Sequence, residues 1–405
     1  MDFNSEFFSG NRQRLLESTG AELIVLSANG LLQRSADTTF AFRQDSNFWY
    51  LTGIDEPDYI LVISPNVTFL VSPARAEHRD MWDGVIDTKA LQHISGIEEV
   101  LDHHAGWNKL DHLVKKIKKV HTITPAEAYF DTFGFYANPA RGALLTLLKK
   151  HRSIELIDIR KNLARLRQIK QEPELNALQK AIDITTDTLI EIRKNIGSYK
   201  TEFELVADIT AGYIRRGSAG HAYQPIVANG HNAATIHYMK CNQRLTENSL
   251  LLLDVGAEVS NYSSDISRTW ARAKPTKRQV DIYNSVAKVQ KAAFKLLKPG
   301  VNIRAYEQQV DDLMAIELNK LGLLDDITDK KKLKKYYPHL ASHFLGLDTH
   351  DAADYDLPLA EGMVLTVEPG IYIPEENIGV RIEDNILITK EGNKVLSVGL
   401  PTNLI

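Results

Sequence analysis

The sequence predicts an α/β domain followed by a larger α+β domain built of two related halves. Three observations predict it: a length of 405 residues, apolar β-rich runs alternating with helical spacing over roughly the first 160 residues, and, beyond them, helices interleaved with two acidic hairpin patterns. A chain this long exceeds one ordinary core, and each of two domains, 1–165 and 166–405, is large enough to bury its own.

Bulk composition narrows the function classes. With 43% hydrophobic and 25% charged residues the chain is globular, and a net charge of -4 offers no basic field for nucleic acid or an anionic membrane. The expected partners are therefore small or peptide-like. Cys241 is the single cysteine, so no intrachain disulfide forms, and any metal must be held by oxygen and nitrogen. The start, Met1-Asp2-Phe3-Asn4-Ser5-Glu6, lacks a basic and apolar leader, and no stretch approaches the roughly 20 apolar residues of a membrane span. We expect a cytoplasmic protein.

In the first domain Glu22–Leu26, Tyr59–Ile63 and Thr68–Val71 read as strands, the last two joined by a turn at Pro65-Asn66. Trp107–Val120 and Arg141–His151 carry helical spacing. The domain break falls close to Lys170–Glu174, which ends one basic helical pattern and sets a proline in the first turn of the next helix. Thr201 with Glu204, and Thr276 with Gln279, make capping-box patterns ahead of helices running to about Arg216 and Pro299-Gly300, and Asn302 caps a third that stops near Gly322. The lysine run Lys330–Lys335 reads as a solvated helix face.

The chemistry concentrates in the hairpins. Leu250–Gly256 is a buried-strand sequence interrupted by Asp254, and Asp265–Trp270 follows a turn at about Ser260–Tyr262. A fold-back near 259 to 260 sets Asp254 opposite Asp265, with Cα atoms about 4.5–5.5 Å apart on one face. Either aspartate alone reads more simply as a turn or strand-edge residue, but the arrangement recurs. Met363–Gly370 returns through Gly379–Asp384, and that fold-back sets Glu368 opposite Glu383. Four carboxylates buried together call for about four positive charges, which two divalent ions supply. His339 and His343 are four apart, so one helical turn would aim both rings to one side, and His350 follows closely. The oxygen-rich set favours manganese, with cobalt, iron or zinc also accommodated, and points to hydrolysis of a carbonyl or phosphoryl bond.

These motifs together resemble the pita-bread metallopeptidases, specifically the Xaa-Pro aminopeptidase (aminopeptidase P) family, with prolidase its close relative. The resemblance rests on Asn229–Tyr238, Leu253–Gly256, Ser264–Thr269, His343–Asp351, Val367–Gly370 and Val380–Asp384, and on Phe42–Gly53 in the N-terminal domain. It implies a creatinase/aminopeptidase-like catalytic domain with pseudo-twofold halves. In it Asp254 and Asp265 would bind one metal, His343 and Glu368 the second, with Asp265 and Glu383 bridging. It further implies that His237, His339 and His350 line the substrate pocket, that Arg381 holds a ligand carboxylate rigid, and that Glu368 shuttles a proton while a metal-bridging hydroxide attacks the carbonyl before proline. The implied substrate is a peptide with proline second, and the implied assembly a homodimer or homotetramer, where Trp82 could serve a neighbouring subunit. The Glu368–Glu383 segment is short for the family, which bears on substrate length. Competing readings are a prolidase, needing a cationic group for the free carboxylate after proline, and a binding module without catalysis, which would be expected to have lost ligands. Creatinase-like hydrolysis lacks this metal set.

Overall fold

The computed structural model describes residues 3–76, 78–124, 134–151 and 153–405. The chain divides into two compact units, Met1–Leu166 and Arg167–Ile405.

The first unit is built on a six-stranded mixed sheet in the order Glu99–Leu101, Thr68–Val71, Ile60–Ile63, Ile24–Ser27, Lys119–Thr122, Glu155–Asp158. Ile60–Ile63 and Thr68–Val71 form the expected hairpin, closed by the Ser64 N–H donating to the Val67 carbonyl. One expectation needs correcting: the helix begins at His103 and stops at Val114, and Val120 lies in the strand Lys119–Thr122. The run Val120-His121-Thr122 fits a sheet interior better than a helix surface, and it pairs in parallel with Glu155–Asp158. Leu23, Val25, Val62, Phe69, Leu110, Leu144 and Leu148 fill the core beside the sheet. Within Phe42–Gly53, Asp45 caps the helix Ser46–Thr52 and takes an ion pair from Arg141 at 2.8 Å. Trp82 stands 82% exposed, so it has no local packing role.

The second unit repeats one order twice. Helices Glu172–Lys194 and Glu202–Arg215 precede the hairpin Leu250–Val255/Ile266–Ala271, and helices Lys277–Leu296 and Ile303–Lys320 precede the strands Val364–Val367, Gly370–Ile373, Ile378–Arg381 and Asp384–Ile388. Thr276 and Gln279 complete the expected capping box. At Thr201 only half of it forms: the hydroxyl takes the Glu204 N–H, but the Glu204 carboxylate reaches back to the Lys200 N–H at 2.6 Å. The helix Lys330–Tyr336 spends its lysines on surface ion pairs with Asp311, Asp312, Asp325 and Glu375. Ile282, Val286, Tyr306, Val310, Met314, Leu365 and Ile386 belong to a large shared core in which these helices meet the strands.

Close backbone approach ties the two halves together at Gly379. A Cβ there would lie 1.9 Å from the Ala233 carbonyl oxygen, so the strand Ile378–Arg381 and the short 3-10 helix Gly230–Ala234 touch main chain to main chain. Gly379→Ala is therefore expected to destabilise the protein by about 1–3 kcal/mol, the usual range for overpacking. Urea unfolding should show a lowered midpoint at unchanged slope; a wild-type midpoint would mean that the contact is soft.

Candidate metal centre

Asp254 sits in the fully buried strand Leu250–Val255, which lies between Ile226–Asn229 and Ile266–Ala271. Its partner across the hairpin is Ser267, not Asp265 as the sequence led us to expect. The turn explains the two-residue difference. Ser260 and Asn261 both have positive φ, 50° and 66°, the signature of a tight two-residue turn, and pairing counts outward from Val259↔Tyr262. By that count Asp265 opposes Gly256, where a Cβ would lie 1.8 Å from the Ser264 carbonyl oxygen. Because the shift is an even number, Asp254 and Asp265 still share a face, as diagonal neighbours. The Tyr223 hydroxyl sits between them, 2.6 Å from Asp254 Oδ1 and 2.5 Å from Asp265 Oδ1.

The second pair falls where the sequence places it. Val367↔Asp384 on one side and Gly370↔Arg381 on the other leave Glu368 opposite Glu383. Each then turns its N–H to another segment: Glu368 donates to Ala341 O at 2.8 Å, and Glu383 to Ser267 O at 3.0 Å. The Glu383 bond splices the second hairpin onto the first. Ser267 Oγ donates to Glu383 Oε2 at 2.7 Å and accepts from Arg381 Nε at 2.8 Å. The same guanidinium donates to the Tyr372 hydroxyl at 2.6 Å and to Asp254 Oδ2, so one planar fork braces both hairpins. Behind them the buried Arg268 donates to Glu383 O and Asp384.

The histidines arrive differently from the sequence reading. His339 and His343 lie on irregular chain rather than a helical turn, because the segment is tied to a strand: Thr366 N–H donates to His343 O at 2.9 Å and Leu345 N–H to Val364 O at 3.0 Å. Both rings still enter the site. His343 Nε2 is 3.4 Å from Asp265 Oδ2 and 3.4 Å from Glu368 Oε1. His339 lies 3.8 Å from Glu368 and bonds the Tyr372 hydroxyl at 2.8 Å. The His350 ring packs 4.2 Å from that of His343, and the exposed His237 is close enough to both His339 and His350 to depress their pKa values. Tyr223, Ser267 and Tyr372 were not foreseen, since single hydroxyl-bearing residues leave no periodic mark.

Among the described residues, Asp265, His343 and Glu383 bring ligand atoms within 4.8 Å of one another, with Asp254 joined through Tyr223 and Glu368 through His343. Without a cation this geometry is costly. Burial pushes Glu383 well up, helped by Asp265, Glu368 and Asp254, and its Oε1 is buried with no hydrogen-bond partner. Burial likewise raises Asp254, and takes Glu368 to about 7 despite His343 and Arg381. Burial opposes a charge on His343, yet the hydrogen bond to Asp265 and the nearby Glu368 raise it to about 9. Loss of water lowers His339 to about 3, and the same effect with His343 beside it lowers His350 to about 4. An orphaned carboxylate oxygen facing an aspartate and a histidine is the donor set that a hard or borderline divalent cation fits.

Comparison with known proteins gives one answer. Residues 176–390 match "Metallopeptidase family M24", and residues 8–122 match "Aminopeptidase P, N-terminal domain". Human Xaa-Pro aminopeptidase 3 is 32% identical over 95% of this chain and 79% of its own. The Xaa-Pro aminopeptidase of Haemophilus influenzae is 32% identical over 92% and 89%. Aminopeptidase P from E. coli with the inhibitor Pro-Leu superposes with a TM-score of 0.86 at 28% identity, covering 98% of this chain and 96% of that one.

The raised groups set the sign of a pH effect. In metal-free protein the folded state holds the Glu368 and His343 protons more tightly than the unfolded chain does. Their contribution to stability is complete below the ordinary values of 4.5 and 6.5 and is lost as pH rises through about 7 and about 9. Chelator-treated protein should therefore melt at progressively lower temperature from pH 6 to 9. Saturating divalent metal should reverse that slope, since binding displaces the same protons. Melting temperatures that do not respond to metal anywhere in this window would argue against a cation site.

Proposed function

Because this chain belongs to metallopeptidase family M24, we propose that it releases the N-terminal residue from peptides carrying proline in second position. The observation that carries the reading is the orphaned Glu383 oxygen at the junction of both hairpins, beside Asp265 and His343, which leaves a place for a cation at the centre of a site otherwise braced on every side. Asp254, Asp265, His343, Glu368 and Glu383 would hold two divalent ions, manganese first on the oxygen-rich donor set. When bound, such ions supply Lewis acidity and ease the deprotonation of water.

The remaining work falls to the protein. Arg381 holds Asp254 in place through its fork, and Tyr372 links that fork to His339. His350 and His237 face the substrate carbonyl and stabilise negative charge on its oxygen, and His339 lines the pocket with both ring nitrogens bonded to Leu340 O and the Tyr372 hydroxyl. His339 and His350 are held neutral at pH 7 by their surroundings; the one N–H of neutral His339 is committed through Nδ1 to Leu340 O at 2.8 Å, so His350 is the ring of this pair left to donate an N–H without bringing a competing charge. Proline leaves as an imide nitrogen that must be protonated as the bond breaks, and Glu368, 3.4 Å from His343 and 3.8 Å from His339, is placed to carry that proton from the attacking water.

The same reading includes a homodimer or homotetramer, supported by an apolar surface at Met81 and Trp82 that is 93% and 82% exposed and that association would cover. It also includes a reducing, cytoplasmic setting, consistent with one buried, unpaired cysteine, Cys241. No helix among the described residues is long and apolar enough to cross a membrane.

Manganese-loaded protein is expected to cleave an Xaa-Pro-Yaa tripeptide and to leave the matched Xaa-Pro dipeptide intact. Cleavage of the dipeptide alone would reject this reading in favour of a prolidase. Asp265→Ala should lower kcat/KM at least about a thousandfold, or about 4 kcal/mol, while circular dichroism stays native. Metal-independent activity in that variant would refute the assignment.

A further inference from the structure

His343 and His350 stand at the two ends of a loop whose shape is set from behind. Asp351 N–H donates to Phe344 O at 2.8 Å and closes the loop, Gly346 N–H donates to Asp348 O at 3.1 Å, and Ser263 N–H reaches Gly346 O at 2.9 Å. Under this backbone lies a buried ion cluster. The Asp351 carboxylate, 1% exposed, accepts from Lys170 Nζ at 2.9 Å through Oδ2, and through Oδ1 from Arg167 and from the Asp348 N–H. Arg167 also takes Asp348 Oδ2 at 2.6 Å. The Lys170 side chain is 0% exposed and that of Arg167 2%. Gly346 lies directly on the cluster: a Cβ would meet Asp351 Oδ2 at 2.2 Å and Lys170 Cε at 3.1 Å.

Burying two cations against one enclosed carboxylate is an expensive way to gain stability, because apolar residues of similar volume would do as well or better. What charges offer that apolar groups do not is direction: several fixed donors meeting one acceptor specify a single geometry. Here the acceptor is the residue directly after His350. We infer that Arg167, Lys170 and Asp351 are positioning residues that hold the Phe344–Asp351 loop so that the His350 ring meets the substrate carbonyl. The inference rests on the reading of His350 as a pocket residue. None of the three touches substrate; they act through the loop.

The test uses the full-length, manganese-loaded protein and two variants. Lys170→Met leaves the Arg167–Asp351 pair balanced, so the fold should survive; Asp351→Asn, which removes the buried carboxylate facing Lys170 and leaves Arg167 its pair with Asp348, is the stronger variant and is used if it stays folded. Hydrogen exchange at 344–351 should accelerate at least about tenfold in Lys170→Met, while 250–271 and 364–388 keep wild-type rates and manganese affinity stays within about twofold. On an Xaa-Pro-Yaa peptide kcat should fall about tenfold, with KM changed less than about threefold. In a His350→Ala background the same substitution should cost less than about twofold, because the ring it positions is gone. Unchanged exchange in the loop, acceleration spread over the whole unit, or an equal kcat loss without His350 would each overturn the inference. If the wild type cleaves no proline peptide, the functional reading fails by itself, and the exchange pattern still decides whether the cluster holds the loop.

Discussion

Acidic groups forced together out of water repel, and the second unit of this protein is organised around that repulsion. Asp254, Asp265, Glu368 and Glu383 come from two separate hairpins, and the Glu383 N–H bond to Ser267 O brings them to one place. Protein groups offset part of the charge: Arg381 covers Asp254, His343 covers Asp265 and Glu368, and Tyr223 spans the two aspartates. Glu383 Oε1 is left over, and a cation is the natural complement. Fold and chemistry thus share a cause, since the main-chain contacts that splice the halves also confine the charges.

Much of this was legible because the carboxylates contradict their surroundings. Asp254 interrupts a run of leucines and Glu383 follows Val380-Arg381-Ile382, and acids inside buried strands need a reason. The Glu368–Glu383 register was readable as well. The Asp254–Asp265 register was displaced by two, because the turn centre depends on the left-handed backbone of Ser260 and Asn261, which composition alone does not fix. Conversely, the spacing of His339 and His343 suggested a helix although tertiary pairing keeps the segment irregular. The rings converge there because Ala341 N–H is held by Glu307 at 2.8 Å and Glu368 is hydrogen-bonded to Ala341 O.

Arg167 and Lys170 carry a role that no local pattern reports. In sequence Lys170 ends a basic helical pattern, and nothing there singles out Arg167 or Lys170 as buried. Their acidic partner, Asp351, lies more than 180 positions away, at separations of 184 and 181. No local pattern reports a partner that distant, and only burial distinguishes these cations from the surface lysines of Lys330–Tyr336.

The tight turn at Ser260-Asn261 has a consequence for how this hairpin can change in length. Side chains alternate across a strand, so one residue inserted between Tyr262 and Asp265 would swing Asp265 to the opposite side, whereas one inserted between Val259 and Tyr262 enlarges the loop and leaves the Val259↔Tyr262 pairing in place. Position, rather than size, is thus the constraint on grafting here: the tip beyond the Val259↔Tyr262 pair accepts a longer excursion, and the short stem that carries Asp265 does not.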